Sequence, residues 1–408
     1  MAEQESTEIF ADGVDKTACS ACGNVIDVAG VPPFTIVQCD KCKTKMAVPG
    51  MFGPYQLFKC LGKGGYGATY RGIEKFLKRP VAVKVIRSSC AKNEQVVEDF
   101  FREARILASL NHPNVAHVYS LGVHKEQPYI VMELVGGGRM DRLFRNKPLD
   151  ETKALDIAID VAEGLIATHD KDLVHGDVKP SNILLDESGT AKLVDFGMVR
   201  LGGDASTEGL AGTPYYISPE QAQNQKIDFR SDMYSLGATL FHSLTGRPPF
   251  EGQTVREVIS ARLEKPVPNL AAFRTDLCPQ TCATIARMMA VNPADRYPTY
   301  QDMLSDLCES HRAASKRNLD PRYQAAAAGN GAVAAAAAPS QSAAAQVQPA
   351  ASAAVAQGPR PLGAAKTARI SQVQATPAFP LEKALPWIII GGLAIIIGVV
   401  ALVLWLAS

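Results

Sequence analysis

The feature that most constrains this 408-residue chain is a row of glycine and polar motifs in a fixed order. "LGKGGYGATY" sets Gly62, Gly64 and Gly67 between two strand-like runs, "YQLFKCL" and "ATYRGI". A glycine array alone also marks dinucleotide folds and plain turns. A dinucleotide fold needs a helix after its glycines, whereas a strand follows here. A strand–glycine loop–strand hairpin can lay backbone N–H groups over phosphates. "PVAVKVIR" then alternates as a strand and carries Lys84. "EDFFREARILASLNHPN" repeats Phe100, Ala104, Leu107 and Leu110 at helical spacing and places Glu103 to reach Lys84. Taken singly, each of these charges reads as a surface charge. "VHGDVKPSN" adds His175, Asp177, Lys179 and Asn182, and "VDFG" adds Asp195. Two acids and an amide are the oxygen groups expected for Mg²⁺ and a substrate hydroxyl.

Together these motifs make residues 55–310 resemble a eukaryotic-type protein kinase domain of the Ser/Thr class. The resemblance implies an α+β, bilobal fold with a β-rich N-lobe and a helical C-lobe. Lys179, two residues after Asp177, and "AGTPYYISPE" favour Ser/Thr over Tyr kinases. It further implies ATP and Mg²⁺, with protein Ser/Thr hydroxyls as acceptors and autophosphorylation. Lys84 would bind the α- and β-phosphates and pair with Glu103. Asp177 would accept the hydroxyl proton, Lys179 would stabilise the γ-phosphoryl charge, and Asn182 and Asp195 would hold Mg²⁺. Leu61, Thr69, Ala82, Met132 and Leu184 would line the adenine pocket, with backbone contacts at Glu133 and Val135. Thr213 would shape the substrate-docking loop, Glu220 and Arg296 would form a structural ion pair, Asp232 would brace the catalytic loop, and His175 would be structural.

Three positions depart from the family pattern. Gly176 stands where an arginine is usual, Thr69 replaces a valine, and Ser218 replaces an alanine. In the family that arginine is a buried cation, commonly countered by activation-loop phosphate. Its loss leaves no cation to neutralise, and Lys84, Asp177 and Asp195 are all kept. The expectation is an active enzyme that depends weakly on loop phosphate, with Ser206 and Thr207 as candidate modification sites. The alternative is a tethered nucleotide-binding adaptor that recruits partners through its N-terminal segment.

That segment, residues 1–50, holds "CSAC" (Cys19, Cys22) and "CDKC" (Cys39, Cys42), with 16 residues between the pairs. Two such knuckles match tetrahedral zinc spacing, and the segment resembles a zinc ribbon. Disulfides are the competing reading, disfavoured in a reducing compartment. Cys60, Cys90, Cys278, Cys282 and Cys308 follow no such pattern and read as buried structural thiols.

Residues 313–385 turn low-complexity and Ala/Pro/Gln-rich, with too little large apolar surface to offset ordering entropy. Residues 387–406, from Trp387 to Leu406, carry no charge and would span about 30 Å as a helix. They read as a C-terminal membrane anchor, with the catalytic domain expected on the cytoplasmic side because Lys366, Arg369 and Lys383 precede it. Small residues at Gly391, Ala394, Gly398 and Ala401 leave a homodimer open, though such residues are common in membrane helices. A net charge of +1 points to no nucleic-acid partner.

Overall fold

Each N-terminal cysteine pair sits at the turn of a short hairpin. β1 (Lys16–Ala18) pairs antiparallel with β2 (Val25–Asp27), and β3 (Ile36–Gln38) with β4 (Lys45–Ala47). The two knuckles repeat one local solution. Cys19 and Cys39 donate their N–H groups to the Asn24 and Thr44 carbonyls at 2.8 and 2.9 Å. The residue after each second cysteine is left-handed, Gly23 at φ 71° and Lys43 at φ 60°. For Lys43 that conformation costs about 1–2 kcal/mol. Cys19, Ile26, Val28, Cys39 and Val48 form the small core between the hairpins.

The computed structural model describes residues 9–196 and 214–319, which lie in one contact-clustered unit. Beyond the knuckles, β5 (Gly50–Phe52) enters an antiparallel sheet with β6 (Tyr55–Lys63), β7 (Gly67–Glu74), β8 (Pro80–Ile86), β9 (Val118–His124) and β10 (Gln127–Glu133). Its order is β5-β6-β7-β8-β10-β9. The ribbon-like segment is packed onto this sheet. Phe34 stacks on Tyr70 with ring centroids 5.2 Å apart. At Gly50 a Cβ would lie 2.8 Å from the Ala11 Cβ and 3.0 Å from that of Pro33, so a side chain would force the two apart.

Between β8 and β9 run α1 (Ser88–Ala91) and α2 (Glu94–Ala108). Asn93 caps α2 by accepting the Gln95 and Val96 N–H groups. Phe100, Ala104 and Leu107 form its buried face, as their spacing predicts.

The second lobe comprises β11 (Gly138–Arg139), α3 (Met140–Leu143), α4 (Glu151–His169), β12 (Ile183–Leu185), β13 (Ala191–Leu193), α5 (Pro219–Ala222), α6 (Phe229–Thr245), α7 (Val255–Glu264), α8 (Pro279–Met288) and α9 (Tyr300–Leu319). Helix α6 is buried almost all round, so its polar positions must find partners inside. It stops at Gly246, whose φ of 75° supplies the left-handed cap.

Three expectations need correction. Helix α9 runs through residues 313–319 with Ala314 fully buried, so the low-complexity segment does not begin at 313. Cys278 is buried, but Cys60, Cys90, Cys282 and Cys308 are half-buried; Cys60, Cys90 and Cys282 pack against the buried core clusters without entering them. The membrane localisation is not upheld: among the described residues no helix is long and apolar enough to cross a membrane. Helix α9 has the length but is amphipathic. The stretch Trp387–Leu406 lies outside the described residues.

Candidate active site

The glycine loop is the turn between β6 and β7. Gly64 donates its N–H to the Gly67 carbonyl at 2.8 Å, closing the turn. A Cβ on Gly67 would sit 2.0 Å from the Val85 carbonyl oxygen, so this glycine is required by the neighbouring strand, whatever the loop covers. Arg87, at the end of β8, donates to the Gly64 carbonyl at 2.7 Å and fastens the loop from below. No sequence motif pointed to Arg87. Leu61 and Gly62 lie on the exposed end of β6, and Gly62 stands opposite Thr69. Thr69 in turn faces Lys84 across β7 and β8, and Ala82 faces Met132 across β8 and β10. Leu184 closes the set from β12, between Arg139 and Lys192. The Glu133 N–H is taken by the His117 carbonyl at 2.8 Å, and its carboxylate pairs with Lys192 at 3.1 Å. Val135 is half-buried just beyond β10.

Lys84 makes its ion pair with Asp195, Nζ to Oδ1 at 3.0 Å, and not with Glu103 as expected. Burial works to lower the Lys84 pKa, but the charges of Asp195 and Glu103 outweigh it and hold it above its ordinary value. The same ammonium keeps Asp195 below the usual carboxylate range. Burial pushes Glu103 up to about 7 against the pull of Lys84. Glu103 thus stands behind the lysine as a second acid, close enough to act through charge. Asp195 adopts φ 55°, a left-handed conformation rare in a non-glycine residue.

The catalytic-loop stretch is held from all sides. Lys179 Nζ reaches Asp177 Oδ2 at 2.7 Å. Asn182 Nδ2 donates to the same oxygen at 2.9 Å and to the Asp177 carbonyl at 3.0 Å. Asp232 accepts the N–H groups of His175 and Gly176, both at 2.8 Å, and Tyr300 adds its hydroxyl at 3.3 Å. His175 is fully buried, bonded through Nε2 to the Val194 carbonyl at 3.2 Å, with its ring centroid 4.4 Å from that of Phe196. Burial drives its pKa down to about 4, so the ring is neutral near pH 7 and Nδ1 can accept the Asp177 N–H.

Below the loop, Arg296 and Glu220 form a bidentate pair at 2.7 and 2.9 Å, both nearly fully buried, with Ser231 donating to Glu220 at 2.6 Å. Ser218 caps α5 in a reciprocal box with Gln221, whose amide then reaches the Gly176 carbonyl at 2.7 Å. The serine–x–x–glutamine spacing signals the box, but nothing local signals the reach to Gly176. Ser206, Thr207 and Thr213 lie outside the described residues.

The donor sets fit the groups expected. Asn182 spends its amide nitrogen on Asp177, which leaves Oδ1 with one long contact from Ser181 at 3.4 Å, and its backbone carbonyl accepts the Val194 N–H, one residue before Asp195, at 3.0 Å. A carboxylate and an amide oxygen suit a hard divalent cation. The thiols of Cys19, Cys22, Cys39 and Cys42 lie within 4.8 Å of one another, and none is in a disulfide. The Cys19–Cys42 and Cys22–Cys39 sulfurs are 3.5 and 3.7 Å apart. Tetrahedral zinc–thiolate bonds of about 2.3 Å put sulfurs about 3.8 Å apart, so the cluster has the size for such a metal.

Residues 55–309 match the model of the protein kinase domain family. The serine/threonine-protein kinase PknL of Mycobacterium tuberculosis is 39% identical over 251 residues, covering 60% of this chain and 63% of the relative. PknB of Mycolicibacterium smegmatis is 37% identical over 268 residues, covering 63% of this chain and 43% of that protein. The chain therefore spans 63% and 43% of the length of these relatives. The crystal structure of the M. tuberculosis PknI kinase domain superposes with a TM-score of 0.51 at 28% identity, covering 64% of this chain and 97% of that domain. With the motif order, the cleft geometry and the match over 55–309 in agreement, the chain belongs to the protein kinase family, and the curated relatives it resembles there are serine/threonine-protein kinases.

Proposed function

We propose that this chain is an ATP-dependent protein serine/threonine kinase that transfers the γ-phosphoryl group to Ser/Thr hydroxyls of proteins, itself included. The carrying observation is the convergence of Lys179 and Asn182 on one carboxylate oxygen of Asp177, across from the Lys84–Asp195 pair. Asp177 takes the acceptor hydroxyl's proton as that oxygen attacks the γ-phosphorus, and the bond from γ-phosphorus to the bridging oxygen breaks to release ADP. Lys179 faces the transferring group, and Lys84 faces the α- and β-phosphates. Mg²⁺, when bound by Asn182 and Asp195, supplies positive charge against the phosphates. Leu61, Gly62, Gly64, Gly67, Thr69, Ala82, Met132, Glu133, Val135 and Leu184 enclose the nucleotide. The Lys84 ammonium has three N–H donors, so it can meet phosphate oxygens while the charges of Asp195 and Glu103 hold it protonated.

The N-terminal segment is read as a structural zinc ribbon on four thiolates, and the kinase domain as residues 55–310. Gly176 supports weak dependence on activation-loop phosphate, because no guanidinium stands there to meet one.

Transfer of radiolabelled phosphate from ATP to a generic protein substrate tests the activity. Asp177→Asn and Asp195→Asn should each lower the rate by about 10²–10⁴-fold or more while the thermal melt stays that of the wild type. Retained activity in Asp195→Asn would falsify the assignment. Phosphatase treatment of the wild type should change the initial rate by less than about ten-fold, or 1.4 kcal/mol. A larger fall would show that loop phosphate matters despite Gly176.

A further inference from the structure

The backbone at Gly176 is left-handed, with φ at 72°. Crowding does not explain the glycine, since a Cβ there would meet nothing nearer than the Ile227 Cδ1 at 3.8 Å. What glycine brings is freedom, and freedom next to the base is a liability. A base displaced by about 1 Å can lose about 10²-fold in rate. Two peptide planes flank Gly176, and both are pinned. The plane before it is held by Asp232, which accepts the Gly176 N–H at 2.8 Å and, one peptide earlier, the His175 N–H at 2.8 Å. The plane after it, from which Asp177 projects, is held by the Gly176 carbonyl accepting from Gln221 Nε2 at 2.7 Å, and by the Asp177 N–H on His175 at 3.2 Å. The carboxamide of Gln221 is itself fixed, because its Oε1 accepts the Ser218 N–H at 2.9 Å while Ser218 Oγ accepts the Gln221 N–H at 3.2 Å. Ser218 is fully buried, so this box does not compete with water.

Resting on the kinase reading above, we propose that Gln221 is a positioning residue for phosphoryl transfer. It ties the backbone of the base to α5, the element that follows the substrate-docking stretch, and it orients a loop that glycine would otherwise leave free. The two departures from the family pattern at Gly176 and Ser218 are thereby one device: the serine anchors the glutamine that restrains the glycine.

Gln221→Glu separates the bond to Ser218 from the bond to Gly176. The carboxylate still accepts the Ser218 N–H, so the capping box and the fold are kept. It cannot donate to the Gly176 carbonyl while ionised. The full-length chain is assayed with radiolabelled ATP and a generic protein substrate from pH 5.5 to 8, beside the wild type and Gln221→Leu. Gln221→Glu should show kcat about ten-fold below wild type at pH 8, with the KM for ATP within about two-fold and an unchanged thermal melt. Its deficit should shrink as pH falls, because the protonated acid regains a donor. The Gln221→Leu deficit should not vary with pH. A wild-type kcat in Gln221→Glu, or a deficit that ignores pH, overturns the role of Gln221. Absence of transfer by the wild type overturns the kinase reading itself.

Discussion

Five buried residues, two of them cysteines, make the core cluster of the ribbon-like segment, whereas helix α6 alone buries thirteen. A buried apolar side chain contributes about 1.5–3 kcal/mol, and each ordered residue costs about 1–2 kcal/mol of backbone entropy. Three aliphatic side chains cannot order a stretch that reaches from Phe10 to Val48. That region needs help that is local and covalent in strength, and four converging thiols offer it. It also borrows order from its neighbour through Phe34 on Tyr70 and through β5 in the kinase sheet. The helical lobe has the reverse economy. It has apolar area in excess and spends its polar groups on specificity: Asp232, Glu220, Ser231 and Arg296 are all nearly fully buried. The contrast shows that the same residue type does different work in the two regions. A buried cysteine of the knuckles belongs to the four-thiol cluster, while buried Cys278 packs in the hydrophobic core at the start of α8.

Metal removal should produce the largest break in this contrast. Structural zinc sites carry about 10–16 kcal/mol of apparent binding free energy. Elemental analysis should find one zinc per chain, and Cys39→Ser should lose it. A chelator should then expose the amides of β1–β4 to hydrogen exchange while those of α4 and α6 stay protected. Unchanged zinc content in Cys39→Ser would sink the four-thiolate site. Uniform exchange would mean that the two regions unfold as one.

The next largest effect belongs to the helical lobe. Arg296→Met leaves Glu220 as an uncompensated buried charge and should cost about 3–5 kcal/mol of stability. Denaturant titration of the variant should shift the midpoint of the kinase domain and leave the zinc content at one per chain. Replacing both partners by apolar residues should recover much of the loss.

A smaller effect comes from pH. His175 is neutral when folded, with its pKa driven down to about 4, whereas the unfolded chain binds a proton below about 6.5. The unfolded state therefore holds more protons as pH falls. The stability from His175 is complete above about pH 6.5 and is lost as pH falls toward 4, to a limit of about 3 kcal/mol. Glu103 and Asp232, both raised to about 7 by burial, pull the other way. The readout is accordingly the difference between wild type and His175→Phe, measured by denaturation at pH 7 and pH 4.5. The variant should lose less on acidification. Equal losses would mean that His175 takes up its proton in the folded state.

Much of the cleft was legible in advance because its chemistry needs particular residue types at particular spacings. The glycine array, Lys84, Asp177, Asn182 and Asp195 were named by their resemblance to the kinase motifs, and the fold brings Lys84 to Asp195 and Asn182 to Asp177. The knuckles were legible for the same reason, since two thiolates on one turn need only two intervening residues. The apolar stripe of α2 was visible through its period. Less visible were the end of the helical lobe, which continues past 313 because Ala314 happens to face a buried surface, and the partner of Lys84.

From sequence alone came the candidate site residues, the thiol cluster, and the first strands and helix of the β-rich lobe, because these depend on residue type and local spacing. Tertiary structure alone decided that Lys84 meets Asp195 before Glu103, that Arg87 fastens the glycine loop, and that Gln221 holds the carbonyl of Gly176 across 45 residues of chain. Each of these is a long-range contact between backbone or charge and a distant side chain. No periodicity encodes such a meeting, because it exists only once burial has set the lobes and loops against one another.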